Sequence, residues 1–196
     1  MTLNSLRPYV TKLFIRPLSN IFGFLGFTPN LLSAISLIFA ILAGLFFYFK
    51  YILIAGLMVF LNSLFDAVDG ELARNKSSTS LRGDFLDHVI DRYADIFILC
   101  GIILGGYVSL EIGIVVITGV LLTSYLGTQA QAVGVGRYYG GLIGRVDRLV
   151  LIILSSIINY KIYSLSILGW TMVFIAITSH VTALQRFIYI WRNLKE

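Results

Sequence analysis

Apolar residues run along this chain in long blocks, broken by a few dense polar islands. Leu31 to Phe49 carries no charge and matches the length of one membrane-spanning helix, about 20 residues. After Lys50 a second uncharged run, Tyr51 to Phe65, is too short to span unless its helix continues through Asp66 and Asp69. The third run, Ile96 to Leu110, poses the mirror-image problem and must begin back among Asp87, Asp91 and Asp95. Ile112 to Gly136 is long enough alone, whereas Leu149 to Tyr160 again needs the polar residues before it. Ile162 to Gln185 completes a sixth run, followed by a basic tail. The stretch from Met1 to Phe27 is different: it is basic and mildly amphipathic and ends at Thr28-Pro29-Asn30, which predicts a helix lying along a membrane interface. The pattern predicts an all-α integral membrane fold, six transmembrane helices preceded by an N-terminal amphipathic interfacial helix. It shows no domain boundary or repeat, so residues 1–196 read as one membrane domain, with 1–27 interfacial and 28–190 forming the bundle.

Composition agrees. Of 196 residues 58% are hydrophobic and 13% charged, where a soluble domain carries about 25% charged residues; the mean hydropathy is +0.88. Three of the six helices need charged turns to reach across, and such turns avoid lipid only by facing a polar cavity inside the bundle. All three polar ends fall on one side. All but Lys50 and Lys161 of the 15 lysines and arginines fall there too. The positive-inside rule then places both termini and the acidic residues on the cytoplasmic face of the cell membrane. The net charge of +5 is spread over membrane-edge segments and calls for no nucleic acid. The first segment has no small-residue cleavage site, and Cys100, the one cysteine, has no partner for an intramolecular disulfide.

The candidate chemistry lies between Asp66 and Asp91. Asp66 and Asp69 are three apart at the end of one apolar run, and Asp87 and Asp91 are four apart at the start of the next. Both spacings put side chains on one helix face, about 5–6 Å apart at Cβ. Two helix ends joined by a short loop can aim all four carboxylates at one point. Unit charges about 4 Å apart repel by roughly 4 kcal/mol at an effective dielectric of 20, so the cluster must take up protons or cations. An all-oxygen donor set suits Mg2+ or Mn2+. Gly70 and Gly83 flank the loop, where missing side chains let a phosphate approach the backbone, and Arg74 offers a fork for phosphate. A helix–helix hydrogen bond is the plain alternative for a single intramembrane aspartate, and a poor one for four in this register. Asp84 reads as a helix N-cap, and Asp95, one turn deeper, as the partner of an arginine. His88 lies off the carboxylate stripe and reads as neutral.

Asp66-x-x-Asp69-Gly70-x-x-Ala73-Arg74, followed after eight residues by Gly83-x-x-x-Asp87-x-x-x-Asp91, resembles the full signature of the CDP-alcohol phosphotransferase family, with no departure at any signature position. The resemblance covers essentially the whole chain. It implies transfer of a phosphatidyl-type group from a CDP-linked lipid donor to an alcohol, with release of CMP. It further implies that Asp66, Asp69 and Asp87 hold one divalent ion and Asp66, Asp87 and Asp91 a second, with Asp91 also the general base. Pro29, Asn30, Leu31, Leu32, Gly70, Arg74, Ser80 and Gly83 match donor-binding positions. The family tends to be dimeric, which implies a homodimer; Gly101 and Gly105 suit either a dimer contact or close packing within one chain.

The second polar island, Gly136 to Arg148, bears on the acceptor. Arg137, Arg145 and Arg148 at a cavity mouth suit an acceptor that carries its own phosphate; they also suit membrane anchoring or pairing with Asp147. Thr28-Pro29-Asn30-Leu31-Leu32-Ser33 together with Gly144-Arg145-Val146-Asp147-Arg148-Leu149 resembles the branch of the family that makes phosphatidylinositol phosphate or archaetidylinositol phosphate from inositol 1-phosphate. That implies a phosphate clamp of Arg137, Arg145 and Arg148. Glycerol 3-phosphate, as used by phosphatidylglycerophosphate synthases, is the competing acceptor. A small cation transporter is the alternative from another class, but its acids would sit toward the membrane middle.

Overall fold

The computed structural model describes residues 7–75, 80–161 and 166–194. Parts of three expected segments, residues 1–6 of the N-terminal helix, 162–165 of the sixth run and 195–196 of the tail, lie outside the described residues, as do loop residues 76–79. The described residues contain helices and no strand. An N-terminal segment runs through α1 (Arg7–Val10), a π-helical turn (Thr11–Ile15) and α2 (Arg16–Phe24). Six long helices follow: α3 (Pro29–Tyr48), α4 (Ile52–Asn75), α5 (Leu81–Leu104), α6 (Leu110–Ala132), α7 (Arg145–Lys161) and α8 (Ile167–Asn193).

Helix is what long apolar runs must form in a bilayer, where every backbone group has to be satisfied internally. α3, α4, α6 and α8 are long and apolar enough to cross a membrane, and the protein is a membrane protein. The short second run is completed as its length required, because α4 carries on through Asp66 and Asp69 to Asn75. α5 likewise begins at Leu81, ahead of all four of its aspartates.

Local signals set most of the ends. Thr28 caps α3 by accepting from Leu31 N, with Pro29 in the first turn. Ser80 caps α5, its hydroxyl accepting from Gly83 N at 3.0 Å. Ser80 thus takes the N-cap expected of Asp84, which lies a turn further in. α5 stops earlier than its apolar run because Gly105 and Gly106 turn the chain, the latter at φ +73°. α8 extends past Gln185, so Arg186 and Arg192 of the basic tail are helical.

The helices alternate in direction. Ser33 meets Asp69 and Asn62 meets Ser36, so α3 and α4 are antiparallel. Asn30 lies beside Gly83 and Gly44 against Gly101, so α3 and α5 are parallel. Asp66 meets Arg145 while Gly56 meets Ser156, so α4 and α7 are antiparallel. The ends of α4 and α5 that bear the aspartates therefore face the start of α7.

The main core joins α3 to α8 around Phe47, Val59, Ile98, Ile102, Ile152 and Met172. Small residues let the backbones close up inside it. A Cβ on Gly101 would collide with the backbone of Gly44, and one on Gly105 with the carbonyl of Phe47. Both glycines are thus consumed by packing within one chain, which decides between their two sequence readings. A smaller core of Ile15, Leu32, Val68 and Leu72, lined by Leu18 and Phe22, docks the N-terminal segment on α3 and α4.

Candidate active site

Asp66, Asp69, Asp87 and Asp91 meet where α4 ends and α5 begins. Asp66 lies close enough to Asp69, Asp87 and Asp91 to repel each electrostatically. Asp69 is the deepest of the four at 4% exposed, and the Ser33 hydroxyl from α3 lies 2.6 Å from its Oδ2, a short charge-assisted bond. Asp87, His88 and Asp91 bring ligand atoms within 4.8 Å of one another. His88, expected to play no part in the chemistry, lies in that group.

One guanidinium sits among these carboxylates. Arg145, the first residue of α7, places Nη1 3.0 Å from Asp66 and 2.8 Å from Asp91, and Nε 3.2 Å from Asp95. Asp95 also takes Arg148 at 3.4 Å and Arg92 at 3.8 Å, so it is the arginine partner expected. It orients α7's first turn. Gly144 N donates to Asp147 Oδ2 at 2.8 Å, which caps that turn.

The three arginines of the expected clamp do not converge. Arg145 is at the carboxylates and Arg148 is buried behind them on Asp95. Arg137 instead reaches Asp84 with two nitrogens, Nη1 at 2.9 Å from Oδ1 and Nη2 beside Oδ2. That hydrogen bonding holds the Arg137 guanidinium above the ordinary arginine value.

The donor-side residues fall into two groups. A Cβ on Gly83 would stand 3.3 Å from Ser80 Oγ and 3.7 Å from Asn30 Oδ1, so Asn30, Ser80 and Gly83 share one spot. Arg74 stretches back over Gly70, its Nη1 3.5 Å from where a Cβ would be. Pro29 opens α3 and Leu31 is exposed, but Leu32 is fully buried against Val68 and Leu72. Leu32 therefore belongs to the core, because its helical position points at α4 rather than at the cavity.

Two organising residues were missed. Arg186 on α8, 5% exposed, donates to the carbonyls of Thr123 at 2.7 Å, Gly140 at 2.9 Å and Tyr139 at 3.1 Å. With the Tyr138 ring stacked on Tyr189, centroids 3.7 Å apart, it holds the α6–α7 connection in place. Nothing in the local sequence separates Arg186 from an ordinary membrane-edge arginine. Ser33 is the other; it closes the Thr28-to-Ser33 segment, but nothing in that segment shows that its hydroxyl reaches Asp69.

The residues present fit divalent cations. The donors within reach of one another are the carboxylate oxygens of Asp87 and Asp91 with the His88 imidazole, an oxygen-rich set of the kind that hard divalent cations take. Carboxylates that repel one another, glycines that admit a phosphate and arginines around them can together hold a diphosphate with its counterions.

Comparison with known proteins follows the same line. The model of the CDP-alcohol phosphatidyltransferase family matches residues 27–177. The archaetidylinositol phosphate synthase of Pyrococcus horikoshii is 34% identical over 171 residues, 86% of this chain and 90% of that protein. The phosphatidylinositol phosphate synthase of Mycobacterium tuberculosis has the same fold. Its structure with CDP-DAG bound has a TM-score of 0.79 at 22% identity, covering 91% of this chain and 94% of that one. Its complex with manganese and citrate also scores 0.79, at 23% identity, covering 89% and 88%.

Proposed function

The chain belongs to the CDP-alcohol phosphatidyltransferase family, and we propose that it transfers a phosphatidyl or archaetidyl group from a CDP-linked lipid to inositol 1-phosphate, releasing CMP. The observation that carries this reading is the position of Arg145, with Nη1 2.8 Å from Asp91 and 3.0 Å from Asp66. An anion-binding side chain beside the carboxylate that takes the proton suits an acceptor with a phosphate at one end and a hydroxyl at the other. A neutral acceptor has no use for it. The archaetidylinositol phosphate synthase relative supports the same acceptor.

Asp66, Asp69 and Asp87 would hold one divalent ion, and Asp66, Asp87 and Asp91 a second, either Mg2+ or Mn2+. When bound, the pair supplies positive charge to the entering and leaving oxygens of an in-line displacement. The remaining work falls to the chain. Asn30, Gly70, Arg74, Ser80 and Gly83 take the nucleotide end of the donor, where the two glycines leave room beside the backbone. Pro29 and Leu31 complete that flank. Arg145 takes the acceptor phosphate, with Arg148 behind it fixed by Asp95, and Arg137 joins once released from Asp84. The acceptor hydroxyl oxygen then bonds to the lipid-bearing phosphorus as the bond from that phosphorus to the CMP oxygen breaks. The hydroxyl proton passes to Asp91, and the electron pair leaves with CMP.

The setting proposed is a six-span bundle, with α5 and α7 completing the four more apolar helices and turning their charged ends inward. The N-terminal segment lies along the membrane surface, its outward residues Leu13, Phe14, Ile21 and Phe24 being apolar and exposed. Residues 1–196 form one domain, with 1–27 interfacial and 28–190 the bundle. The distribution of basic residues supports an active site facing the cytoplasm from the cell membrane. The assembly proposed is a homodimer.

Acceptor-dependent CMP release by purified protein tests the reading, with CDP-lipid and inositol 1-phosphate, glycerol 3-phosphate, inositol or serine. The expected result is turnover with inositol 1-phosphate alone. Turnover with glycerol 3-phosphate instead keeps the chemistry and overturns the acceptor.

A further inference from the structure

Glu71 is a buried carboxylate for which the transfer reaction has no use. Its side chain is 5% exposed although it lies at the polar end of α4, two residues beyond Asp69. One oxygen accepts from Arg16 Nε at 3.1 Å, and the other from Arg74 Nε at 3.3 Å and Nη2 at 3.1 Å. The two arginines come from different places. Arg74 is one turn further along α4, and Arg16 opens α2, with Ile15 and Leu18 beside it in the smaller core. Ser19 on α2 is fully buried and takes a hydrogen bond from Asn75 Nδ2 at 3.4 Å, which fastens the same junction a second time.

Fastening α2 would need only Arg16 and Glu71. The second oxygen of Glu71 does something more specific, because it engages the Arg74 fork through two nitrogens and so fixes the plane of the guanidinium. The remaining nitrogen, Nη1, then lies over Gly70, 3.5 Å from where a Cβ would stand. A free arginine side chain half-exposed to solvent samples many rotamers and loses that freedom on binding a ligand. Held in this way, the loss is already met. One carboxylate against two guanidiniums also leaves a net positive charge on this rim, next to a site rich in aspartates.

We propose that Glu71 is a positioning residue for the diphosphate of the donor. It holds Arg74 over Gly70, and Arg16 holds Glu71, so the docked N-terminal segment is part of the donor site. This rests on the reading of Arg74 as a donor contact.

The test is the separation of donor from acceptor kinetics in Glu71→Gln, Arg16→Gln and Arg16→Lys. Glu71→Gln is expected to raise the KM for CDP-lipid by roughly threefold to fivefold, a modest factor because both arginines are half-exposed. The KM for inositol 1-phosphate should move by less than about twofold, since Arg145 and Asp91 are untouched. Arg16→Gln should move the donor KM in the same direction, and Arg16→Lys should restore most of it. Should Glu71→Gln fail to fold, the Arg16 pair carries the comparison alone. An unchanged donor KM, or equal changes for donor and acceptor, overturns the proposal. Calorimetric affinity for CDP-lipid in the presence of Mg2+ is measured alongside. If wild type turns over no acceptor, the functional reading fails; weaker donor binding in the variants then still supports the positioning role, and unchanged binding overturns it.

Discussion

Removing the Ser33 hydroxyl isolates one interaction of the site. Ser33 and Asp69 are both buried, and the 2.6 Å bond between them is side-chain support that α3 gives Asp69. A hydrogen bond to a charged group contributes about 1.5–3 kcal/mol. Ser33→Ala takes away one oxygen and no hydrocarbon, so packing around Leu32 and Val68 stays as it is. The loss falls on the orientation of Asp69. At about 1.4 kcal/mol per factor of ten, it corresponds to roughly 10–100-fold weaker ion binding, the range found when partners of metal-binding carboxylates are removed. The assay is CMP release as a function of Mg2+ concentration. Half-saturation is expected to shift upward by about tenfold or more, with much of the rate recovered at high Mg2+, and Ser33→Thr should behave more like wild type. Half-saturation that stays at the wild-type value in Ser33→Ala would refute the reasoning, because Asp69 would then need no help from Ser33.

Three further outcomes follow from the packing and the ion pairs. Asp95→Asn leaves Arg148, with its side chain 6% exposed, short of an anion; breaking a buried pair in this way costs about 3–5 kcal/mol, so the melting temperature in detergent should fall by roughly 6–20 °C, and no change would contradict the burial argument. Gly101→Ala forces a Cβ into the backbone of Gly44, and overpacking of about 1–3 kcal/mol or more should lower both folded yield and melting temperature; a wild-type melting curve would show that the two helices separate easily. Asp84→Asn frees Arg137 from a pair whose side chains are 29% and 43% exposed, so the gain is limited to at most about fivefold in the KM for inositol 1-phosphate, measured at saturating CDP-lipid. A rise in that KM would show that Asp84 helps rather than competes.

Much of the fold was legible because membrane helices obey a length rule. The second and third runs were too short to span, so α4 had to absorb Asp66 and Asp69 and α5 had to start before Asp87, as observed. The four carboxylates were legible for the same reason, since spacings of three and four on adjoining helix ends share a face. What was hidden depends on contacts between segments far apart in sequence. Arg145 meets Asp66 across 79 positions, and no local pattern separates it from Arg137, which turns to Asp84 instead. Leu32 and Asn30 are two residues apart, yet helical rotation sends one into the core and the other to the site. Glu71 offered no periodic signal, because its partners come from the N-terminal segment and from its own next turn.

We propose that carboxylates from α4 and α5 hold divalent ions for transfer from a CDP-linked lipid to inositol 1-phosphate. CMP release with both substrates, after chelation and then across a titration of Mg2+ or Mn2+, tests it most directly. The expected result is no release after chelation, full recovery with either ion, and none at any concentration in Asp91→Asn. CMP release that survives chelation, or that persists in Asp91→Asn at the wild-type rate, would contradict it.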